Sequence, residues 1–324
     1  MKKCKTKEEL KQAVIDNMND CYDKYKDDMM IKFPDELWEA CYEISLHRDL
    51  YTFLLYKVNH LPKSALQSMQ KPDMFDTLKM KLWQKKQYIP DIKNAPMREQ
   101  FRGLPKLTNS ICDNCEQCIK ACPTGAISIN PLKIDMAKCT LCGACKNLCQ
   151  GAIDFTNFYK LGADKPEKLI ITEEITPELY YQRAIEVRKE IYSIFNRSIK
   201  FRQVSAGGCN GCEMELNAAS NANFDMGRFG IDFVASPRHA DGIVITGPIT
   251  KNMAYALEDC YKSTPDPKVI ILCGTCAISG GIFKDSKELN REFLNKYKVD
   301  LYIPGCPVHP LTFINAILDF IRKK

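Results

Sequence analysis

Apolar positions follow different rhythms in different parts of the chain. In the last third, short apolar runs at Phe201–Ser205, Ile231–Ala235, Ile243–Thr246, Val269–Leu272 and Leu301–Ile303 read as strands. Between them, residues near Cys212–Ala222, Asn252–Lys262, Lys287–Tyr297 and Leu311–Arg322 read as helices. That alternation predicts an open, mainly parallel α/β sheet, whose ligands bind in loops that follow strands. Residues 1–102 hold no glycine, and their prolines at 34, 62, 72, 90 and 96 look like boundaries between helices. Leu37, Trp38, Cys41 and Ile44, and again Leu78, Leu82 and Trp83, recur at helical spacing, as a packed core or a docking face requires. Between these parts, Leu161–Pro166 reads as a linker. Pro177 to Ile194 reads as one long helix capped by Thr176, with Leu179, Ala184, Val187, Ile191 and Ile194 on a stripe.

Length and composition narrow the class. The 324 residues suit two or three domains. No apolar stretch follows the charged start Met1–Glu9, and no run approaches the roughly 18 apolar residues of a membrane span, which predicts a soluble or peripheral protein. Seventeen cysteines without a secretion signal predict a reducing cytoplasm and metal ligation rather than disulfides. The formal charge of +6 is mild and its basic residues are mixed with acidic ones, so no nucleic-acid partner is expected.

Eight of the cysteines form an internal repeat. Cys112, Cys115, Cys118 and Cys122 are each followed 27 residues later by Cys139, Cys142, Cys145 and Cys149. Each half reads C-x2-C-x2-C-x3-C, the spacing of a two-cluster bacterial ferredoxin, in which the fourth cysteine crosses to the other cluster. The expected ligand sets are Cys112, Cys115 and Cys118 with Cys149, and Cys139, Cys142 and Cys145 with Cys122. Zinc or disulfides are the competing readings, but zinc sites usually pair two close cysteines with two distant ones. The halves differ in one place, where Pro123 follows Cys122 and Gln150 follows Cys149. Cys4, Cys21 and Cys41 show no such spacing and read as ordinary thiols.

Five more cysteines fall after predicted strands: Cys209 and Cys212, Cys273 and Cys276, and Cys306. Four of them could hold one further metal centre, with a redox pair or a zinc site as the alternatives. Glycine in Gly207-Gly208-Cys209-Asn210-Gly211-Cys212 and the turn Pro304-Gly305-Cys306-Pro307 would let backbone approach such a centre closely.

These motifs, with Arg228-Phe229-Gly230, Ser236-Pro237-Arg238-His239-Ala240-Asp241, Ser279-Gly280-Gly281-Ile282-Phe283 and Tyr302-Ile303-Pro304-Gly305-Cys306-Pro307, resemble the small subunit of energy-converting nickel-iron hydrogenases, including those of formate hydrogenlyase. That family is homologous to the cluster-bearing 20 kDa-type subunit of respiratory complex I. Phe101–Leu107, ahead of the first cysteine run, resembles the entry to the two-cluster, 23 kDa-type subunit of the same complexes, so two subunits look fused over residues 98–324.

The resemblance implies a third 4Fe-4S cluster on Cys209, Cys212, Cys276 and Cys306, with Cys273 at a position that is not a ligand. It implies a relay of three clusters between a ferredoxin or dehydrogenase partner and a nickel-iron site in a separate large subunit, with membrane ion-translocating subunits as further candidate partners. No nickel ligands or catalytic residues are expected in this chain. Complex I typically has adjacent cysteines where Cys209 and Cys212 are spaced, which favours the hydrogenase side; Val308-His309 departs from the usual second proline. The alternatives are a complex I-like module serving a quinone or other acceptor, and a free-standing ferredoxin-like carrier. Glu213, Glu215, Arg228, Arg238 and His239 lie in motifs that flank the third set and are candidates for tuning or proton relay, against a reading as ordinary ion pairs.

The resulting fold class is multidomain α and α/β: a helical region at 1–97, a ferredoxin-like α+β domain at 98–160, a linker and bridging helix at 161–198, and a flavodoxin-like α/β domain at 199–324. The expected location is cytoplasmic, soluble or peripheral on the inner face of the cell membrane.

Overall fold

The computed structural model describes residues 87–109, 116–149, 151–186, 189–195 and 197–322. The predicted helices of residues 1–86, with Cys4, Cys21 and Cys41, and the ligand candidates Cys112 and Cys115 lie outside the described residues.

The cysteine-repeat part contains β1 (Pro105–Leu107), α1 (Gln117–Ala121), β2 (Ile127–Ser128), β3 (Lys133–Asp135), α2 (Ala144–Leu148), β4 (Ile153–Phe155) and β5 (Ile170–Ile171). Strands β1 and β4 pair antiparallel, and β2, β3 and β5 form a second small sheet. The sequence repeat recurs in the backbone. Helices α1 and α2 are each entered from a left-handed residue, Glu116 (φ 60°) and Gly143 (φ 79°), and each ends at a cysteine, Cys122 or Cys149. Two short helices follow, α3 (Pro177–Ala184) and α4 (Lys189–Phe195).

One long helix from Pro177 was expected there, and the structure corrects it. Thr176 caps α3 as expected, its hydroxyl accepting from the Leu179 amide at 3.3 Å. Helix α3 then stops because Asp164 takes over its end. The Asp164 amide donates to the Ala184 carbonyl at 3.0 Å, and its carboxylate accepts from the Glu186 amide at 3.0 Å, leaving Ile185 extended.

The remaining elements are β6 (Ile199–Ser205), α5 (Gly211–Ala219), β7 (Ile231–Phe233), β8 (Gly242–Thr246), α6 (Lys251–Ser263), β9 (Val269–Cys273), α7 (Thr275–Ser279), α8 (Glu292–Lys296), β10 (Leu301–Ile303) and α9 (Pro310–Arg322). All five strands run parallel in the order β10-β9-β8-β6-β7. Counted within the sheet this is 5-4-3-1-2, a doubly wound order whose switch point lies between β6 and β8. Every residue of β8 and β9 is buried, as their unbroken apolar runs require when helices cover both faces. Helix α8 is shorter than the predicted Lys287–Tyr297. The Glu288 and Ile249 carbonyls bond to the Lys251 and Asn290 amides, and these bonds hold residues 288–290 against the turn after β8 instead.

One apolar core runs from Leu104, Leu132 and Ile153 through Tyr180 and Phe201 to Phe313 and Phe320, and a second gathers Val204, Ile243, Ile245, Leu257 and Leu272 on the five-stranded sheet. Each fully buried side chain of this kind contributes about 1.5–3 kcal/mol relative to an exposed one. Residues 87–97 join this body: the Asn315 amide group donates to the Ile92 carbonyl at 3.0 Å and the Tyr159 hydroxyl to the Lys93 carbonyl at 3.0 Å. The compact unit that holds them runs from Lys86 to Lys324. Among the described residues no helix is long and apolar enough to cross a membrane.

Candidate metal centres

Cys122, Cys139, Cys142 and Cys145 line one hollow of about 310 Å³, partly open to solvent, together with Ala126, Ile127, Ile134 and Phe155. Cys122 comes from the first half of the repeat and the other three from the second, so the fold brings together the crossed set that the spacing predicts. Burial pushes the Cys139 thiol up to about 12 and Cys145 up to about 11, and repulsion among the neighbouring cysteines adds to both. Burial acts against Cys122 as well, but the Ala126 and Thr124 amides and the Thr124 hydroxyl outweigh it and hold Cys122 below the ordinary thiol value. The Ala126 amide donates to Cys122 Sγ at 3.3 Å and the Leu141 amide to Cys139 Sγ at 3.4 Å. Of the other set, Cys118 and Cys149 are described, and both are buried.

The five-stranded sheet assembles a second group of thiols at the C-terminal ends of its strands. Cys209 and Cys212 follow β6, Cys276 stands in α7 just beyond β9, and Cys306 follows β10. Burial pushes Cys276 up to about 11, with repulsion from Cys306, Cys212 and Cys209 behind it. Cys306 is raised by burial, then by Cys212, Cys209 and Cys142. Cys142 belongs to the ferredoxin-type set, so the two groups lie within electrostatic reach of each other. Cys209 and Cys306 are exposed, while Cys212 and Cys276 are half-buried.

Glycine is required where backbone meets sulfur. A Cβ on Gly274 (φ +97°) would lie 2.6 Å from Cys212 Sγ. At the switch point a Cβ on Gly208 would lie 2.9 Å from Gly247 Cα, so these two turns close together only because neither carries a side chain. The Cys273 thiol, fully buried, bonds to Cys212; this bond holds Cys212 below its ordinary value against burial and drives Cys273 far above its own. Cys273 therefore lies against one member of the group, Cys212.

Among the described residues no three His, Cys, Asp or Glu side chains close round a single ion. The thiols instead surround a space, with amides aimed at sulfur and glycine where a Cβ would strike it, features that fit cysteinate-held 4Fe-4S clusters.

Three side chains bond to carbonyls of the repeat part, Thr275 and Lys284 from across the fold and Arg102 from within the repeat part itself. Thr275 Oγ1, on a buried residue, donates to the Cys139 carbonyl at 2.9 Å and lies 3.2 Å from the Gly305 carbonyl, joining the neighbours of Cys276 and Cys306 to a member of the other group. Lys284 Nζ donates to the Thr124 carbonyl at 3.2 Å. Arg102 Nε donates to the Leu141 carbonyl at 2.5 Å, between Cys139 and Cys142.

The candidate tuning residues separate. Glu213 is buried at the start of α5, accepting from Ser205 Oγ at 2.7 Å and Thr246 Oγ1 at 2.6 Å. Glu213 and Glu215 both act on Cys212, and burial raises the Glu215 carboxyl. Arg228 is engaged elsewhere, donating to the Ile89 carbonyl and stacking on the Tyr88 and Phe229 rings. Arg238 and His239 are exposed in a 3-10 turn that precedes β8, whereas the cysteines follow strand ends. They flank the cysteines in sequence motif but sit about 15 Å away along the strand, one strand length of five residues. Thr275, Lys284 and Arg291 were not singled out from sequence, because each owes its place to a carbonyl contributed from a distant segment.

The comparisons with known proteins agree with this geometry. Residues 209–320 match the family described as NADH ubiquinone oxidoreductase, 20 Kd subunit, and residues 105–128 match the 4Fe-4S binding domain. A probable membrane-bound hydrogenase subunit of Pyrococcus furiosus is 35% identical over 134 residues, covering 41% of this chain and 80% of the relative. Formate hydrogenlyase subunit 7 of Escherichia coli is 46% identical over 114 residues, 35% of this chain and 45% of the relative. An NADH-quinone oxidoreductase subunit of Bacteroides thetaiotaomicron is 42% identical over 113 residues, 35% of this chain and 57% of the relative.

Proposed function

Because the chain belongs to the family of iron-sulfur subunits that includes the complex I 20 kDa subunit and the hydrogenase subunits above, we propose that it is the electron-relay subunit of a multisubunit nickel-iron hydrogenase. It is a subunit of an oxidoreductase complex, with the active site on other subunits. Three 4Fe-4S clusters would be held by Cys112, Cys115, Cys118 and Cys149; by Cys122, Cys139, Cys142 and Cys145; and by Cys209, Cys212, Cys276 and Cys306. Such groups pass single electrons over potentials from about −700 to +450 mV according to charge, hydrogen bonding and exposure.

One observation carries the reading: Thr275, beside Cys276 of the sheet-edge group, donates to the carbonyl of Cys139 in the ferredoxin-type group at 2.9 Å, so the two groups meet at one seam. The chain's own residues hold the thiols, exclude water with Ile127, Ile134 and Phe155, and fix the two groups together through Thr275 and Lys284. Cys209 and Cys306 are exposed, as are Met214 and Ile282, and the large nickel-iron subunit would dock over the two cysteines. A ferredoxin or dehydrogenase partner would supply or receive electrons at the repeat end, and membrane ion-translocating subunits would anchor the complex at the inner face of the cell membrane. In domain terms, residues 98–160 act as a two-cluster ferredoxin-like domain and 199–324 as a flavodoxin-like domain, bridged by 161–198.

A complex I-like module without hydrogen chemistry is the second reading, favoured by the match to the NADH-quinone oxidoreductase relative. The spaced pair Cys209 and Cys212 argues for the hydrogenase side. Hydrogen evolution from reduced viologen by the native complex, measured alongside its nickel content, separates the two. An intact, iron-loaded complex without nickel defeats the hydrogenase reading.

A further inference from the structure

Arg291 stands at the edge of the third cysteine group, unmarked by any motif. Its guanidinium is half-buried and donates to four backbone carbonyls: Pro248 at 3.0 Å, Cys276 at 3.2 Å, Ala277 at 2.8 Å and Ile278 at 2.8 Å. Three of these acceptors are the residues at and after Cys276 in α7; the Cys276 carbonyl also accepts from the Gly280 amide at 2.9 Å, while Ala277 and Ile278 stand in the last turn, whose carbonyls a five-residue helix cannot satisfy within itself. The fourth follows Gly247 in the turn after β8, at the switch point. One side chain therefore fastens the Cys276 segment to the turn that closes against Gly208, one residue before Cys209.

The charge matters as much as the bonds. All four acceptors are neutral carbonyls, and among the described residues Arg291 takes part in no ion pair, so its positive charge reaches the Cys276 sulfur uncancelled by a bonded carboxylate. The buried Glu213 also acts on Cys276 and Cys212, and its partners are the neutral hydroxyls of Ser205 and Thr246. A fixed positive charge near a redox centre favours the form that has gained an electron, and a carboxylate opposes it.

We infer that Arg291 is a positioning residue for the third site, one that fixes the Cys276 turn and sets the potential of the group held there above what the four thiolates and Glu213 alone would give. This rests on the reading of Cys209, Cys212, Cys276 and Cys306 as a cluster site. An arginine serves where a lysine could not fully do so, because its planar fork reaches several carbonyls at once.

The test is a redox titration of the purified complex followed by electron paramagnetic resonance, with the third-site signal identified as the one lost in Cys306→Ser. At the wild-type midpoint, Arg291→Gln is expected to keep that signal but lower its reduced-to-oxidised ratio about tenfold, a shift of about 59 mV for one electron. Arg291→Lys is expected to bring the ratio most of the way back, while the ferredoxin-type signals stay unchanged in both variants. If Arg291→Gln loses the signal outright, a retained signal at the wild-type potential in Arg291→Lys supports the inference. An unchanged midpoint in Arg291→Gln overturns it, as does loss of the signal in both variants, which would leave only a structural clamp. If Cys306→Ser removes no signal, the cluster reading itself fails and the inference falls with it.

Discussion

The two described cysteine groups hold four thiols each by opposite means. In the ferredoxin-type group, three cysteines lie within seven residues, from Cys139 to Cys145, and the fourth is supplied by a repeat of the same pattern. The strands around it are two or three residues long. Here the group must hold the polypeptide as much as the reverse. In the sheet-edge group, thiols from three separate segments span Cys209 to Cys306, and a buried parallel sheet puts them together beyond the C-terminal ends of its strands. The difference teaches that a metal site can either supply folding energy to a local motif or draw on the rigidity of a scaffold that exists without it.

Removing one ligand from each site breaks the comparison most severely. Cys122→Ser is expected to lose the second group's iron and, with it, the order of β2 and β3, seen as a lower melting temperature. Cys306→Ser is expected to lose about a third of the bound iron and sulfide if three equal clusters are present, yet to leave the melting of the sheet nearly unchanged. Equal destabilisation by the two variants would refute the contrast.

Glycine substitutions come next. Gly274→Ala places a Cβ 2.6 Å from Cys212 Sγ in a backbone conformation (φ +97°, ψ 152°) that is almost confined to glycine. The strain alone costs about 1–3 kcal/mol, and loss of the third-site spectrum should accompany it. Gly125→Ala meets only the far end of the Lys284 side chain, at 3.3 Å, in the milder left-handed region at φ +65°, and should cost about 1 kcal/mol with all signals retained. Iron content and spectra of the two variants, side by side, measure the difference.

Smaller effects probe the seam between the groups. Thr275→Val removes the hydroxyl that donates to the Cys139 carbonyl and leaves that acceptor short of a donor, while the Gly305 carbonyl keeps the Thr275 amide, at a cost of about 1–3 kcal/mol. Because the seam joins the two groups, magnetic coupling between them should weaken, and unchanged coupling would show that the core alone fixes their separation. Lys284→Met, which removes one partly exposed bond to Thr124, should cost at most about 1 kcal/mol. Glu213→Gln should leave stability nearly unchanged, since its hydroxyl donors remain served, but move the third site's potential upward and not the second's; redox titration reads both at once.

The amino-acid sequence by itself determined which cysteines are candidates for the local group. The 27-residue repeat predicts a crossed set, and the structure lines one hollow with Cys122, Cys139, Cys142 and Cys145. It also determined the parallel sheet, because unbroken apolar runs such as Val269–Leu272 are tolerated only where helices cover both faces. Motif proximity misled for Arg238 and His239. They precede β8 while Cys209, Cys276 and Cys306 follow other strands, and a strand places its two ends about 15 Å apart. Helix length misled as well, since Asp164, distant in sequence, terminates α3 by taking its last bonds. Only tertiary structure could decide that Thr275 bonds to Cys139, that Cys306 lies near Cys142, and that Arg291 gathers four carbonyls beside Cys276. Periodicity and spacing encode which residues share a face or a turn, whereas a charge or a bond across the fold depends on carbonyls that every residue type carries and no motif distinguishes.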